Sequence, residues 1–147
     1  MKSFSNSSLS NYLKSLASTQ PAPGGGSAAA VVAALGFSLL EKVAAISQTK
    51  QKASFQNEIQ ESKLLEKIAM KLADGDAKAY GAVIKAYKIK AVTEAQKKSR
   101  REKIDRALGV SFEVPFQLLE TVKKGEVLLE KLLKRSDGAI KSDLEVA

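Results

Sequence analysis

The sequence predicts an all-α fold, a single helical bundle domain with an alanine-rich helix at its centre. Three observations predict it. Every periodic segment repeats its apolar residues at helical spacing, and no alternation of useful length reads as a strand. A long apolar run also follows a glycine loop, Pro21-Ala22-Pro23-Gly24-Gly25-Gly26-Ser27, and stays apolar from Ala28 until Glu41. That run of 13 residues is shorter than the roughly 20 that cross a bilayer. It predicts the core helix of a soluble bundle, with no membrane partner. Being apolar on every face, the helix is expected to be buried on every face, and its Ala and Gly residues let neighbouring backbones approach closely. The glycines are expected to free the backbone for positive φ, and Ser27 to cap the helix.

Leu9, Tyr12, Leu13 and Leu16 fall at i, i+3, i+4 and i+7, which predicts a short amphipathic helix over roughly 8–17. Pro21 and Pro23 impose an extended approach to the glycine loop. Residues 48–57 are mostly polar and read as an exposed turn of helix or a connection. A second long helix is expected from Ile59, with Leu65, Ile68, Ala69 and Leu72 on one stripe that continues to Asp76, Ala79, Tyr80, Val83 and Tyr87. A carboxylate thus interrupts an apolar face, which costs free energy unless it is paired or functional. The alternative is that Gly75 breaks the helix and Asp76 caps a new one.

Thr93 and Gln96 have capping-box spacing. The helix they open carries Lys97, Lys98, Arg100, Arg101, Lys103 and Arg106, with an apolar stripe of Ile104, Ala107, Leu108, Ser111 and Pro115. Extended backwards, that stripe passes through Arg101, which is expected to point inward. The plainer reading of the basic run is a solvated face. Pro115 either kinks this helix or starts another through Phe116, Leu119, Val122, Leu129, Leu132 and Leu133, and Gly125 marks a close crossing. The chain turns at Ser136-Asp137-Gly138, and Ser142 with Glu145 predicts a last helix from Asp143.

One domain fits 147 residues. The absence of Cys, His and Trp removes disulfides, thiolate nucleophiles, imidazole bases and the usual zinc ligand sets, so no metal site is expected. Chemistry falls to Asp, Glu, Lys, Arg, Ser, Tyr and the backbone. A cysteine-free chain without an apolar leader is expected in the cytoplasm. The formal net charge of +8 favours anionic partners. A glycine loop at a helix N-terminus can hold an anion on its amides, but no Lys stands at the Walker position and no strand precedes the loop. A turn capping a core helix is the plainer reading of the loop taken alone.

The ordered set of the Pro-x-Pro-Gly-Gly-Gly-Ser heptad at 21–27, Asp76 with Ala79-Tyr80, Arg101, Pro115 and Ser142-Asp143 resembles the cyclodeaminase/cyclohydrolase family. This is the C-terminal domain of formiminotransferase-cyclodeaminase and its stand-alone relatives. The resemblance covers nearly the whole chain. It implies an all-helical homodimer with sites near subunit contacts, and tetrahydrofolate derivatives as substrates with no bound cofactor. It also implies a chain shortened at its C-terminus, since the family continues past Ser142-Asp143 with further alanine-rich helix. The reactions implied are hydrolysis of 5,10-methenyltetrahydrofolate and cyclisation of 5-formiminotetrahydrofolate with release of ammonia.

Both need a group that takes and returns a proton, a job for a carboxylate. Asp76 is the first candidate because stripe position and resemblance agree, and Asp143 is the second. Gly24, Gly25, Gly26 and Ser27 are candidates for binding an anionic substrate group, and Arg101 for neutralising a carboxylate or the folate glutamate. The positive charge suits a polyglutamylated folate. Two readings from other classes stand beside this one: an inactive homolog serving as an assembly subunit, and a basic nucleic-acid-binding module over Lys97 to Arg106. The second lacks a recognised motif and the aromatics for base stacking.

Overall fold

The computed structural model describes residues 4–136 and 141–147. These residues form helices α1 (Leu9–Leu16), α2 (Gly25–Gln51), α3 (Gln56–Tyr87), α4 (Glu94–Arg135) and α5 (Lys141–Val146), and no strand. The all-helical expectation holds. Contacts gather the chain into two compact units, Met1–Ala29 with Lys71–Gln117, and Ala30–Met70 with Leu118–Ala147.

In the first unit, α1 starts where Ser8 accepts the Asn11 amide, and Tyr12 is its one buried residue. The capping box at the start of α4 forms reciprocally: the Gln96 amide donates to Thr93 Oγ1 at 3.2 Å and the Thr93 amide to Gln96 Oε1 at 3.1 Å. Pro115 lies within α4, so a single helix replaces the break that the sequence allowed. The same holds for α3, which passes through Gly75 and Asp76 without interruption. Asp74 accepts the amides of Phe4 at 2.6 Å and Ser5 at 3.3 Å, fastening the segment before α1 to α3.

The second unit carries the main apolar core. Phe37, Leu40, Val43 and Ala44 of α2 pack with Leu65 and Ala69 of α3, Leu128 and Leu132 of α4, and Leu144 of α5. Each large side chain buried there contributes about 1.5–3 kcal/mol. Two expectations are corrected. First, α2 is not buried all round, since Val32 and Leu35 are 67% and 58% exposed. By length and composition alone α2 is apolar enough to cross a membrane, but Ala34, Phe37, Leu40, Val43 and Ala44 bury one face of it in the core. Second, the buried face of α4 is Thr121, Gly125, Leu128 and Leu132, while Phe116 and Leu119 are exposed. The stripe read from the sequence is rotated because Gly125, with no side chain to count, is the point of closest approach. A Cβ there would lie 3.1 Å from Cδ1 of the buried Phe37 ring. Gly125→Ala is therefore expected to lower stability by about 1–3 kcal/mol in urea denaturation, because the methyl displaces a buried ring from its packed position.

The polar connection between α2 and α3 buries Phe55, and the first turn of α3 buries Glu58. Lys52 takes a left-handed φ of 52° after α2, the conformation that commonly ends helices. Phe55 is then 1% exposed beneath the Arg135 guanidinium, which lies 4.4 Å from the ring centroid. Glu58, 2% exposed, forms salt bridges to Lys131 at 2.9 Å and to Arg135. Burial, the strongest single influence, raises the Glu58 pKa. The Lys131 hydrogen bond, its own amide and the attraction of both cations together outweigh burial and hold the carboxyl below its ordinary value. A depressed native pKa makes Glu58 stabilising above the unfolded-state value of about 4.3, and that contribution is lost as pH falls through the native value. The stability gap between parent and Glu58→Gln is thus expected to be full at neutral pH and to close below about pH 4, read from urea midpoints.

Candidate functional site

The cavity of interest lies in the first unit. The glycine loop brings no positive φ: none of the described glycines has one, and the Ala22–Pro23 bond is cis. Helix α2 also starts earlier than expected, with the Gly24 carbonyl accepting the Ala28 amide at 3.0 Å. Ser27 is therefore the third helical residue, not the N-cap. A glycine at the cap position has no side chain to satisfy the amides of the first turn. Asp76 supplies the missing acceptor from α3: the Ser27 amide donates to its Oδ2 at 2.9 Å. The two readings of Asp76 merge here. It sits in mid-helix, and it caps a helix other than its own.

This arrangement explains Gly26 and leaves Ser27 free for another role. A Cβ on Gly26 would lie 2.6 Å from the Asp76 carboxyl carbon, whereas Gly24 and Gly25 have nothing within 4 Å of theirs. Ser27 is fully buried, and its hydroxyl pairs with the Tyr12 hydroxyl at 3.2 Å. Behind Asp76 there is thus a polar support running from Tyr12 through Ser27. In front of it opens a cavity of about 330 Å³ lined by Pro21, Ala22, Gly24, Gly25, Gly26, Asp76 and Tyr80. Among the described residues Asp76 Oδ1 has no protein partner, and no Lys or Arg lines the cavity.

The sequence candidates divide accordingly. Gly24, Gly25, Gly26 and Asp76 come together, while Ser27 supports the site from behind without lining it. The loop is less suited to anions than expected, since one amide already serves Asp76 and a carboxylate occupies the helix N-terminus. Arg101 does not point inward; it is exposed. Its neighbour Arg100 turns back instead and donates from Nη2 to the Tyr87 carbonyl at 2.8 Å, because the last carbonyls of α3 lack helical partners. Asp143 belongs to the second unit, inside α5, and pairs with Lys42 at 2.7 Å. Asp137 and Gly138, where the sequence predicts a turn, lie outside the described residues. No group of three or more His, Cys, Asp or Glu side chains capable of holding a metal forms among the described residues.

Sequence reasoning missed two contributors. Tyr12 was read as part of an apolar stripe, and only the fold brings its hydroxyl to Ser27. Tyr80 follows Asp76 by one helical turn, and that i+4 spacing was the available signal that both face one cavity.

A sequence profile of formiminotransferase-cyclodeaminase matches residues 8–147. The chain belongs to the formiminotransferase-cyclodeaminase family. Within the family it is 29% identical over 147 residues to a methenyltetrahydrofolate cyclohydrolase of Methylorubrum extorquens, a match covering 97% of this chain and 71% of that protein. It is 28% identical to the formimidoyltransferase-cyclodeaminase of Mus musculus, covering 99% of this chain but 28% of the mouse protein. Among solved structures, a formiminotetrahydrofolate cyclodeaminase from Thermotoga maritima superposes with a TM-score of 0.82 at 26% identity, over 95% of this chain and 68% of that one. The family resemblance read from the heptad and Asp76 is thereby shown.

Proposed function

We propose that this chain is an enzyme of folate one-carbon metabolism in which Asp76 moves the proton, acting on 5,10-methenyltetrahydrofolate or 5-formiminotetrahydrofolate. The observation that carries this is the carboxylate itself. It is held through Oδ2 by the Ser27 amide, with Oδ1 turned to a cavity that no cation lines. Such a site favours a cationic one-carbon group, and methenyltetrahydrofolate carries one in its amidinium carbon. The relatives that act on such folates support the same substrate class.

In hydrolysis, a water oxygen bonds to the methenyl carbon while Asp76 accepts one water proton. Asp76 then returns that proton to N5 as the C–N5 bond breaks, and the second water proton leaves the carbinol oxygen for solvent as the formyl C=O forms, giving the 10-formyl product. In cyclisation, N10 bonds to the formimino carbon and its proton passes through Asp76 to the departing nitrogen, which leaves as ammonia. Hydrogen-bonded support behind the carboxylate keeps it aimed in both cases, and positioning of this kind lowers the barrier. A cytoplasmic location is part of the same proposal, and a cysteine-free composition is consistent with that reducing compartment.

A homodimer belongs to this proposal, supported by the exposed Val32 and Leu35 on an otherwise apolar helix. The test is the methenyl absorbance followed with purified protein from both substrates, alongside light scattering. Turnover of either substrate supports the proposal. A folded parent chain that turns over neither overturns it and leaves the assembly-subunit reading in its place.

A further inference from the structure

A second surface of the first unit has no part in the Asp76 site. Ala82, Lys85 and Ala86 of α3, with Ile89 two residues past its end, stand at i, i+3, i+4 and i+7, and so do Lys103, Arg106, Ala107 and Val110 of α4. Together these two faces line an open groove of about 480 Å³. Its floor is apolar, with Val110 51% exposed. Its rim is cationic. Lys85, Lys103 and Arg106 are exposed, and none of them forms a salt bridge among the described residues.

The groove is not an extension of the substrate cavity. At 3.6 residues per turn, the groove positions on α3 lie roughly 150° around the helix from Asp76 and Tyr80. A folate tail leaving the cavity therefore does not run into it. Seven residues of rise along the α4 wall, from Lys103 to Val110, make the groove about 10 Å long, two turns of an opposing helix. An apolar floor between two helices takes the apolar stripe of a third. The unpaired cations select the sign of its flanks, because carboxylates set beside them are attracted and further cations are repelled. A second copy of this chain, at a formal net charge of +8, matches that rim poorly.

We infer that the groove between α3 and α4 docks an acidic amphipathic helix of a partner protein. The occupant presents leucine-like residues at i, i+4 and i+7 to the floor and Glu or Asp to Lys85, Lys103 and Arg106.

The probe is a fluorescein-labelled helical peptide with leucines at that spacing and glutamates on both flanks, titrated with the whole chain and read by fluorescence anisotropy. A control peptide keeps the leucines and carries lysines instead. The glutamate peptide is expected to bind at least tenfold more tightly than the lysine peptide, more weakly as salt rises. The Lys103→Glu/Arg106→Glu double variant is expected to reverse that preference. Val110→Asp weakens both peptides, and circular dichroism checks that each variant remains helical. Absence of binding by the glutamate peptide at about 1 mM overturns the inference, as does equal binding of the two peptides. So does unchanged binding in a folded double variant. Two further measurements assign the groove to a different occupant and overturn it likewise: loss of self-association in Val110→Asp, which points to a second copy, and loss of binding to phosphatidylglycerol vesicles in the double variant, which points to a lipid surface.

Discussion

Asp76→Asn is expected to lower kcat by about a hundred- to ten-thousand-fold, the range a positioned acid–base group contributes. The melting temperature should barely move. Those two expectations come from different atoms of one side chain. The structural duty of Asp76 is to accept the Ser27 amide at 2.9 Å, and an asparagine carbonyl accepts the same bond. Its chemical duty is to carry a proton, which an amide does not do at neutral pH. Asp76→Ala separates the duties further, because it removes the acceptor and leaves the amide of a fully buried residue unsatisfied, at a cost of about 1–3 kcal/mol. The measurement pairs methenyl absorbance kinetics with thermal unfolding for parent, Asn and Ala forms. Full activity in Asp76→Asn removes this carboxylate from the chemistry. A large loss of stability in the same variant would mean that the charge, not the hydrogen bond, holds the start of α2.

The two duties also mark how far the sequence was legible. Local rules worked where partners are close in the chain. Thr93 pairs reciprocally with Gln96 at the start of α4, because each bond spans three residues and its chemistry is written in those two positions. They failed where the partner is remote. Ser27 looked like an N-cap because a serine after glycines usually is one, but the acceptor came from Asp76, 49 residues away. Arg101 looked inward because a helical stripe passed through it, yet Arg100 is the residue that meets the open Tyr87 carbonyl. Residue types in a connection were equally uninformative. Phe55 and Glu58 sit in or beside a polar stretch, and only the arrival of Lys131 and Arg135 from α4 gives Glu58 a reason to be buried. The family, by contrast, was legible early, because the heptad and Asp76 are two halves of one contact and stand in the sequence as separate marks.

That contact gives the second large effect, a glycine scan whose outcome differs from residue to residue. Had the loop needed glycine for positive φ, alanine would be costly at several positions. No described glycine has positive φ, so backbone freedom does not decide the matter and space does. Gly24→Ala and Gly25→Ala place a methyl where nothing lies within 4 Å, and both are expected to fold normally and keep most of the parent kcat. In Gly26→Ala the methyl arrives 2.6 Å from the carboxyl carbon of Asp76, too close for either to stay. The carboxylate must swing away, giving up the Ser27 amide and its aim into the cavity together. A displacement of that size at a reacting group costs on the order of a hundredfold in rate, and the orphaned amide about 1–3 kcal/mol in stability. Steady-state kinetics and urea unfolding of the three alanine variants check this. Equal activity in all three would show that Asp76 tolerates displacement and carries no proton. A loss shared equally by all three would assign the glycines a backbone role in place of the steric one.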